Sequence, residues 1–224
     1  MLILLIVLAL AIFVLPNLWA KWVLKRHTRG RDDYPGTGAE LAEHLIRRMG
    51  VEGVRVERTE QGDHYDPEAR CVRLTPDHYD GRSLTAVTVA AHEVGHAIQH
   101  HEGYAPLLAR SRLVQVAQKA EKLGAILMMA APFLFLLTRL PGGLAMIVVM
   151  AVISFGTAAL VHLVTLPVEF DASFNRALPL LKEYVPPADM AGARHVLTAC
   201  AFTYVAASLA SVMNLGRWLV ILRR

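Results

Sequence analysis

Leu84-Thr-Ala-Val-Thr-Val-Ala-Ala-His-Glu-Val-Gly-His-Ala-Ile-Gln99 runs without a proline behind Ser83, a residue suited to cap a helix N-terminus, so the stretch reads as one helix. His92 and His96 are four residues apart and therefore stack one turn above each other on one face. Two imidazoles so placed can bind one tetrahedral Zn²⁺. Glu93, between them, is placed to act as general base on a metal-bound water. Ala90, Ala91, Gly95 and Ala97 keep the helix slim enough for other elements to pack closely against it. A histidine pair merely hydrogen-bonded in a core is the competing reading. It does not account for Glu93.

Upstream of this helix the chain is polar and mixed. Thr37-Gly-Ala-Glu40 reads as a capping box opening an amphipathic helix that carries Leu41, His44, Leu45 and Met49 and stops at Gly50. Val54 and Val56, then Cys71, Val72 and Leu74, lie in β-prone stretches separated by Gln61-Gly62-Asp63, which predicts a short hairpin, with a bend at Asp66-Pro67. The edge of the Cys71 to Thr75 stretch is a candidate for pairing with an extended peptide. Cys71 and Cys200 are too far apart in sequence to suggest a CxxC site or a disulfide framework.

The flanks are different in kind. Apolar residues make up 54% of the 224 residues and are gathered in blocks, which favours membrane spans over one large globular core. The division predicted is an N-terminal transmembrane anchor over 1–24, a catalytic zincin-like segment over 25–122 and a transmembrane hairpin over 123–166. A third-ligand helix follows over 167–195, then a membrane-spanning or interfacial segment over 196–224. The expected fold class is thus a mainly α integral membrane protein with three to four membrane segments, a gluzincin-like HExxH helix and a short β-hairpin. The formal charge of +4 comes largely from basic residues beside the apolar blocks, as in Lys21, Lys25, Arg26, Arg29 and Arg31. That position points to anionic lipid head groups and topology control, not to nucleic acid. It also predicts a cytoplasmic catalytic segment, with which the single Arg139 of the hairpin turn agrees, while Arg223-Arg224 does not if the last stretch spans.

A catalytic zinc site needs a third protein ligand and one open position. Four places offer one. His100 and His101 follow the motif but lie too far along the same helix. Glu102 stands where an extended HExxHxxGxxH pattern would place a ligand, yet Gln99 replaces its turning glycine. His162 sits inside the late apolar block, where an ionisable residue is a functional candidate, either to orient a ligand or to contact substrate. Glu169, in Pro167-Val-Glu-Phe-Asp-Ala-Ser173, follows that block. A hairpin over 123–166 would return Glu169 to the side of His92 and His96 and complete a His-His-Glu set.

Asp63-His-Tyr-Asp-Pro67, Val72-Arg-Leu-Thr75, Ala90-Ala-His-Glu-Val-Gly-His-Ala-Ile-Gln99, Tyr104-Ala-Pro-Leu107 and Leu166-Pro-Val-Glu-Phe-Asp-Ala-Ser173 together resemble the YugP-like bacterial membrane neutral zinc metallopeptidases. The resemblance implies a multi-pass peptidase of the bacterial inner membrane, with Zn²⁺ as cofactor and Glu169 as third ligand. A more distant similarity is to the Ste24- and HtpX-type membrane proteases, whose ligand motif ends in aspartate where this chain has Ser173. Ser173 thus leaves their outer carboxylate without a counterpart. Asp171 is the candidate substitute, but two residues from Glu169 on a helix it would face away, and it reads instead as a surface or capping residue. Arg176 and Tyr104, with Tyr184, are candidates to stabilise the transition state. The function expected is zinc-dependent hydrolysis of membrane or membrane-proximal polypeptides with Glu93 as base. The alternative is a metal-binding membrane scaffold that performs no hydrolysis.

Overall fold

The computed structural model describes residues 2–117 and 164–202 together with Lys119, Lys122, Ile126 and Val161, with side chains from Val14 onward. Its organising element is α4, Leu84–His101, in which every residue from Leu84 to Gln99 is buried. A helix buried on all sides must be wrapped, and the rest of the described chain does the wrapping. Ser83 caps it as expected, its Oγ accepting from Ala86 N at 3.1 Å.

On one side lies α2, Gly38–Arg48. The capping box forms in full: Thr37 Oγ1 accepts from Glu40 N, and Glu40 Oε2 accepts from Thr37 N at 2.7 Å. The apolar stripe of Leu41, Ala42, Leu45 and Ile46 then packs into the common core with Val87, Val94 and Ala97. Burying such residues is worth about 1.5–3 kcal/mol for each large aliphatic side chain, which makes this stripe the principal attachment of α2.

Three short strands cover α4 further along: β1 Arg55–Arg58, β2 His64–Asp66 and β3 Cys71–Leu74. Their order is β1-β3-β2, with β1 parallel and β2 antiparallel to β3. The expected hairpin is therefore corrected. The two β-prone stretches do lie side by side, but they are parallel, because His64–Asp66 forms an extra strand between them in sequence and it is β2 that makes the hairpin with β3. The turn at Asp66-Pro67 is closed by Asp66 Oδ1, which accepts from Glu68 N and Ala69 N, and Arg70 at its end has φ 48°. Since β3 is central, the edge expected there is occupied on both sides, and the outer edges belong to β1 and β2. Asp63 secures the far corner by accepting from Thr75 N (2.7 Å) and Thr75 Oγ1 (3.0 Å) and by holding His78 Nδ1 at 2.7 Å. His78 lies in α3, Pro76–Tyr79, so the strand, the turn and α3 are fixed together.

The membrane architecture is also corrected. Among the described residues, no helix is long and apolar enough to cross a membrane. In α1, Leu2–Arg26, the described side chains begin at Val14 and include Lys21, Lys25 and Arg26. Apolar residues that the sequence suggests as span material are used for packing: Ala20 and Val23 of α1, and Val196, Leu197 and Ala199 of the helical residues 190–202, belong to the same core as α4. The end of α1 is tied to the start of α4 by Thr85, which donates from N to His27 O (3.2 Å) and from Oγ1 to Leu24 O (2.8 Å). The expected hairpin over 123–166 lies outside the described residues except for Ile126, Val161 and 164–166, as does the chain after 202.

Candidate metal centre

Residues 164–170 are helical and run into a π-helical stretch, Asp171–Ala177, that lies along α4. The two backbones approach closely at Gly95. A Cβ there would stand 2.7 Å from Ala172 O, so only glycine permits this spacing. The contact falls between the two histidines of α4 and brings Glu169 over both. Glu169 Oε2 lies 3.3 Å from His92 Nε2 and 3.2 Å from His96 Nε2. Glu169 is fully buried, and His92 and His96 are nearly so.

The outer nitrogens of both rings are assigned by their partners. Gln99 Nε2 donates to Val168 O and to Asp171 Oδ2, both at 2.8 Å, and neither oxygen can donate in return. That fixes the amide, so Gln99 Oε1 faces His96 Nδ1 at 2.9 Å and the Nδ1 must carry the proton. Ser173 does the same for His92. Its Oγ donates to Leu197 O (3.3 Å) and is left to accept from His92 Nδ1 at 3.1 Å. Both imidazoles, when neutral, thus turn bare Nε2 lone pairs toward the Glu169 carboxylate.

Three lone-pair donors facing one another in a buried space repel unless a proton or a metal cation lies between them. Two of the three spacings match those around Zn²⁺: ligand atoms about 2.0–2.1 Å from a tetrahedral ion stand roughly 3.3 Å apart, as the two Nε2–Oε2 separations do. The candidate ligand atoms all fall within 4.8 Å of one another, and Glu169 Oε1, buried, has no hydrogen-bond partner. Burial acts against ionisation of Glu169, but His96 and His92 outweigh it and hold the carboxyl well below the ordinary range. Glu93 shows the opposite balance. Burial pushes its carboxyl up, and the two histidines only partly offset this. Its carboxylate has no hydrogen-bond partner among the described residues.

Of the other ligand candidates, His100 is bonded through Nδ1 to Tyr65 Oη at 2.8 Å, His101 is exposed, and Glu102 Oε2 accepts from Arg176 Nη1 at 2.8 Å. None joins the cluster. His162 lies outside the described residues. Arg176 also donates from Nε to Asp171 Oδ2 at 2.7 Å and stacks over the Tyr104 ring. Tyr184 Oη is bonded to His44 Nε2 at 2.9 Å, on the α2 side. Two residues in the centre escaped the sequence reading. Gln99 entered it only as a missing glycine, although its i, i+3 spacing from His96 was a usable signal. Arg110, whose Nη1 is 3.6 Å from Glu169 Oε1, belongs to no motif and was not recoverable from spacing. Asp171, read as a surface cap, is instead the anchor of Gln99.

Residues 2–223 match the family described as "Putative neutral zinc metallopeptidase". A curated relative, "Putative membrane protease YugP" of Bacillus subtilis (strain 168), is 38% identical over 212 residues, covering 92% of this chain and 91% of its own length. No solved structure gives a significant match.

Proposed function

This chain belongs to the neutral zinc metallopeptidase family, and from that premise we propose that it hydrolyses peptide bonds with Glu93 as its general base. The observation that carries the reading is the pairing of a tautomer-locked His92, His96 and Glu169 set with Glu93 on the same helix, buried and with its proton affinity raised by that burial. Zinc, when bound, supplies Lewis acidity toward water and toward a carbonyl oxygen. His92, His96 and Glu169 would hold it. Glu93 accepts the proton of the attacking water and delivers it to the leaving amine, and its raised proton affinity suits both transfers near neutral pH. Arg110 is the cation nearest the carboxylate ligand and is the group we assign to steady developing negative charge.

The open edge of β2 is the place for an extended polypeptide, whose backbone pairs there without a demand on sequence. Tyr65 of β2 is bonded to His100 in the last turn of α4, which keeps that edge close to the metal-binding helix. The relative's name as a membrane protease supports placing the activity at a bacterial membrane, on polypeptides that lie in or near it. The test is zinc analysis combined with casein or peptide hydrolysis by the purified full chain and its Glu93→Gln variant. Zinc retained by both, with turnover lost by at least about a hundredfold in the variant, is the expected result for a general base. Zinc in both with hydrolysis by neither would establish the scaffold reading instead.

A further inference from the structure

The end of α1 carries a second built feature. A cleft of about 260 Å³ opens between α1 and the helical residues 190–202, lined by Trp19, Trp22, Arg26, His27, Gly192 and His195. Among the described residues no carboxylate lines it. Asp189, the nearest acid that acts on His27, is held by Arg31 Nη1 at 2.7 Å and by Tyr34 Oη at 3.3 Å. Arg26 is poised over the Trp22 ring, 5.0 Å from its centre, so its guanidinium is oriented before any ligand arrives. Burial and the adjacent Arg26 and His195 lower the proton affinity of His27, and Asp189 offsets them only in part.

Its surroundings say what kind of partner it meets. Lys21, Lys25, Arg26 and Arg29 have no ion-pair partner among the described residues. On the same helix Leu15, Leu18 and Trp22 are each more than half exposed. Exposed aliphatic side chains, two tryptophans and a ring of unpaired cations in one place match the layers of an anionic bilayer surface, where acyl chains, the aromatic zone and phosphates succeed one another. A nucleic acid or an acidic protein would answer the cations but would leave the aliphatic edge without a partner.

We propose that this cleft seats the phosphate of an anionic phospholipid, with the Trp19 and Trp22 edge of α1 resting at the bilayer surface. Arg26 would grip the phosphate with its fork of N–H donors, and His27 and His195 would close it from the other side. Contiguous side chains lie between the site and the metal centre. Trp19 meets Phe202 edge-on at 6.2 Å, Phe202 meets Phe170 at 6.3 Å, and Phe170 adjoins Glu169 in the chain. Leu197, whose carbonyl anchors Ser173, lies on the same helical stretch as His195. A headgroup bound here brings the bilayer alongside the proposed hydrolytic site and selects polypeptides at that surface. The inference deepens the membrane placement proposed above and does not depend on hydrolysis.

The probe is short-chain dihexanoyl phosphatidylglycerol, titrated onto the full chain in neutral detergent and followed by native mass spectrometry. Dihexanoyl phosphatidylcholine and inorganic phosphate serve as comparison ligands. Arg26→Gln and, on the other wall, His195→Glu should each weaken phosphatidylglycerol binding by about fivefold or more, while zinc content and hydrolysis of a water-soluble peptide stay at the wild-type level. Equal binding of the two lipids, undiminished binding by both variants, or displacement by inorganic phosphate at matching concentrations would overturn the proposal. The last outcome would mark a free-anion site. A failed peptidase reading shows itself separately, in the Glu93→Gln comparison.

Discussion

Replacing Gln99 by leucine separates orientation of a ligand from the ligand itself. Gln99 is fully buried and makes three hydrogen bonds: it accepts from His96 Nδ1 and donates to Val168 O and Asp171 Oδ2. Leucine is of similar size, so little cavity opens, but the His96 N–H is left buried without an acceptor and two oxygens lose a donor. Each buried group so stranded costs about 1–3 kcal/mol. Some of these groups will find water, so the fold should lose about 2–4 kcal/mol overall, while zinc affinity falls about ten- to a hundredfold as the His96 tautomer and ring angle become free. Gln99→Glu gives a sharper sign. A carboxylate there keeps an acceptor for His96 but faces Val168 O and the Asp171 carboxylate without a donor. Its proton affinity is raised in the folded state, so its neutral form is favoured at low pH and the variant loses stability as the pH rises through that raised value. Competition titration of zinc against a chromophoric chelator, with denaturant unfolding of the metal-free proteins at acid and alkaline pH, measures both effects. Wild-type zinc affinity in Gln99→Leu, or a Gln99→Glu variant that gains stability with rising pH, would refute the assignment.

Gly95→Ala should cost at least about 1–3 kcal/mol and weaken zinc binding together, because a Cβ 2.7 Å from Ala172 O forces apart the two segments that carry the ligands. Thermal unfolding with and without zinc checks it, and an unchanged metal affinity would show that Glu169 does not depend on this contact. Burial opposes ionisation of Asp63, yet His78 and Thr75 outweigh it and its proton affinity in the folded protein is below the ordinary value. Its stabilisation is therefore complete above the unfolded-chain value, about 3.9, and is lost as the pH falls through the lower native one. Asp63→Asn should flatten that acid limb in denaturant unfolding, and an acid limb as steep as in the wild type would count against it.

How much of this was legible in the sequence depended on whether the signal was local. The α4 helix, the Thr37 capping box and the stacking of His92 over His96 follow from spacing and side-chain chemistry within a few residues, and they appear in the structure as read. The sheet did not follow. Val56 and Val72 were recognisably β-prone, but their parallel pairing rests on a strand of three residues, His64–Asp66, too short to show a period. Span assignment failed for a different reason: a block of apolar residues has the same composition whether lipid or protein covers it. Val196, Leu197 and Ala199 are covered by α4 and its neighbours. Glu169 was reached through a hairpin that lies outside the described residues. What places it in the structure is the close approach at Gly95 and Ala172.

The outer ring of the centre gives Ser173 a physical meaning. A histidine ligand needs an acceptor for its Nδ1–H, and a carboxylate is the strongest one available. Here both acceptors are neutral, the Ser173 hydroxyl and the Gln99 amide, and each passes a hydrogen bond onward, to Leu197 O and to Val168 O with Asp171. A carboxylate at either position would meet those same oxygens without a donor. Neutral partners therefore belong to this packing, in which both acceptors are enclosed and must donate to backbone carbonyls as well as accept from the rings. The negative charge is moved outward to Asp171, where Arg176 and Asn175 balance it. The buried ring around the two histidines then holds two carboxyl groups, Glu169 and the proposed base Glu93, and the difference in their proton affinities arises from their surroundings. Glu169 faces both imidazole nitrogens, whereas for Glu93 burial outweighs what the two histidines offer.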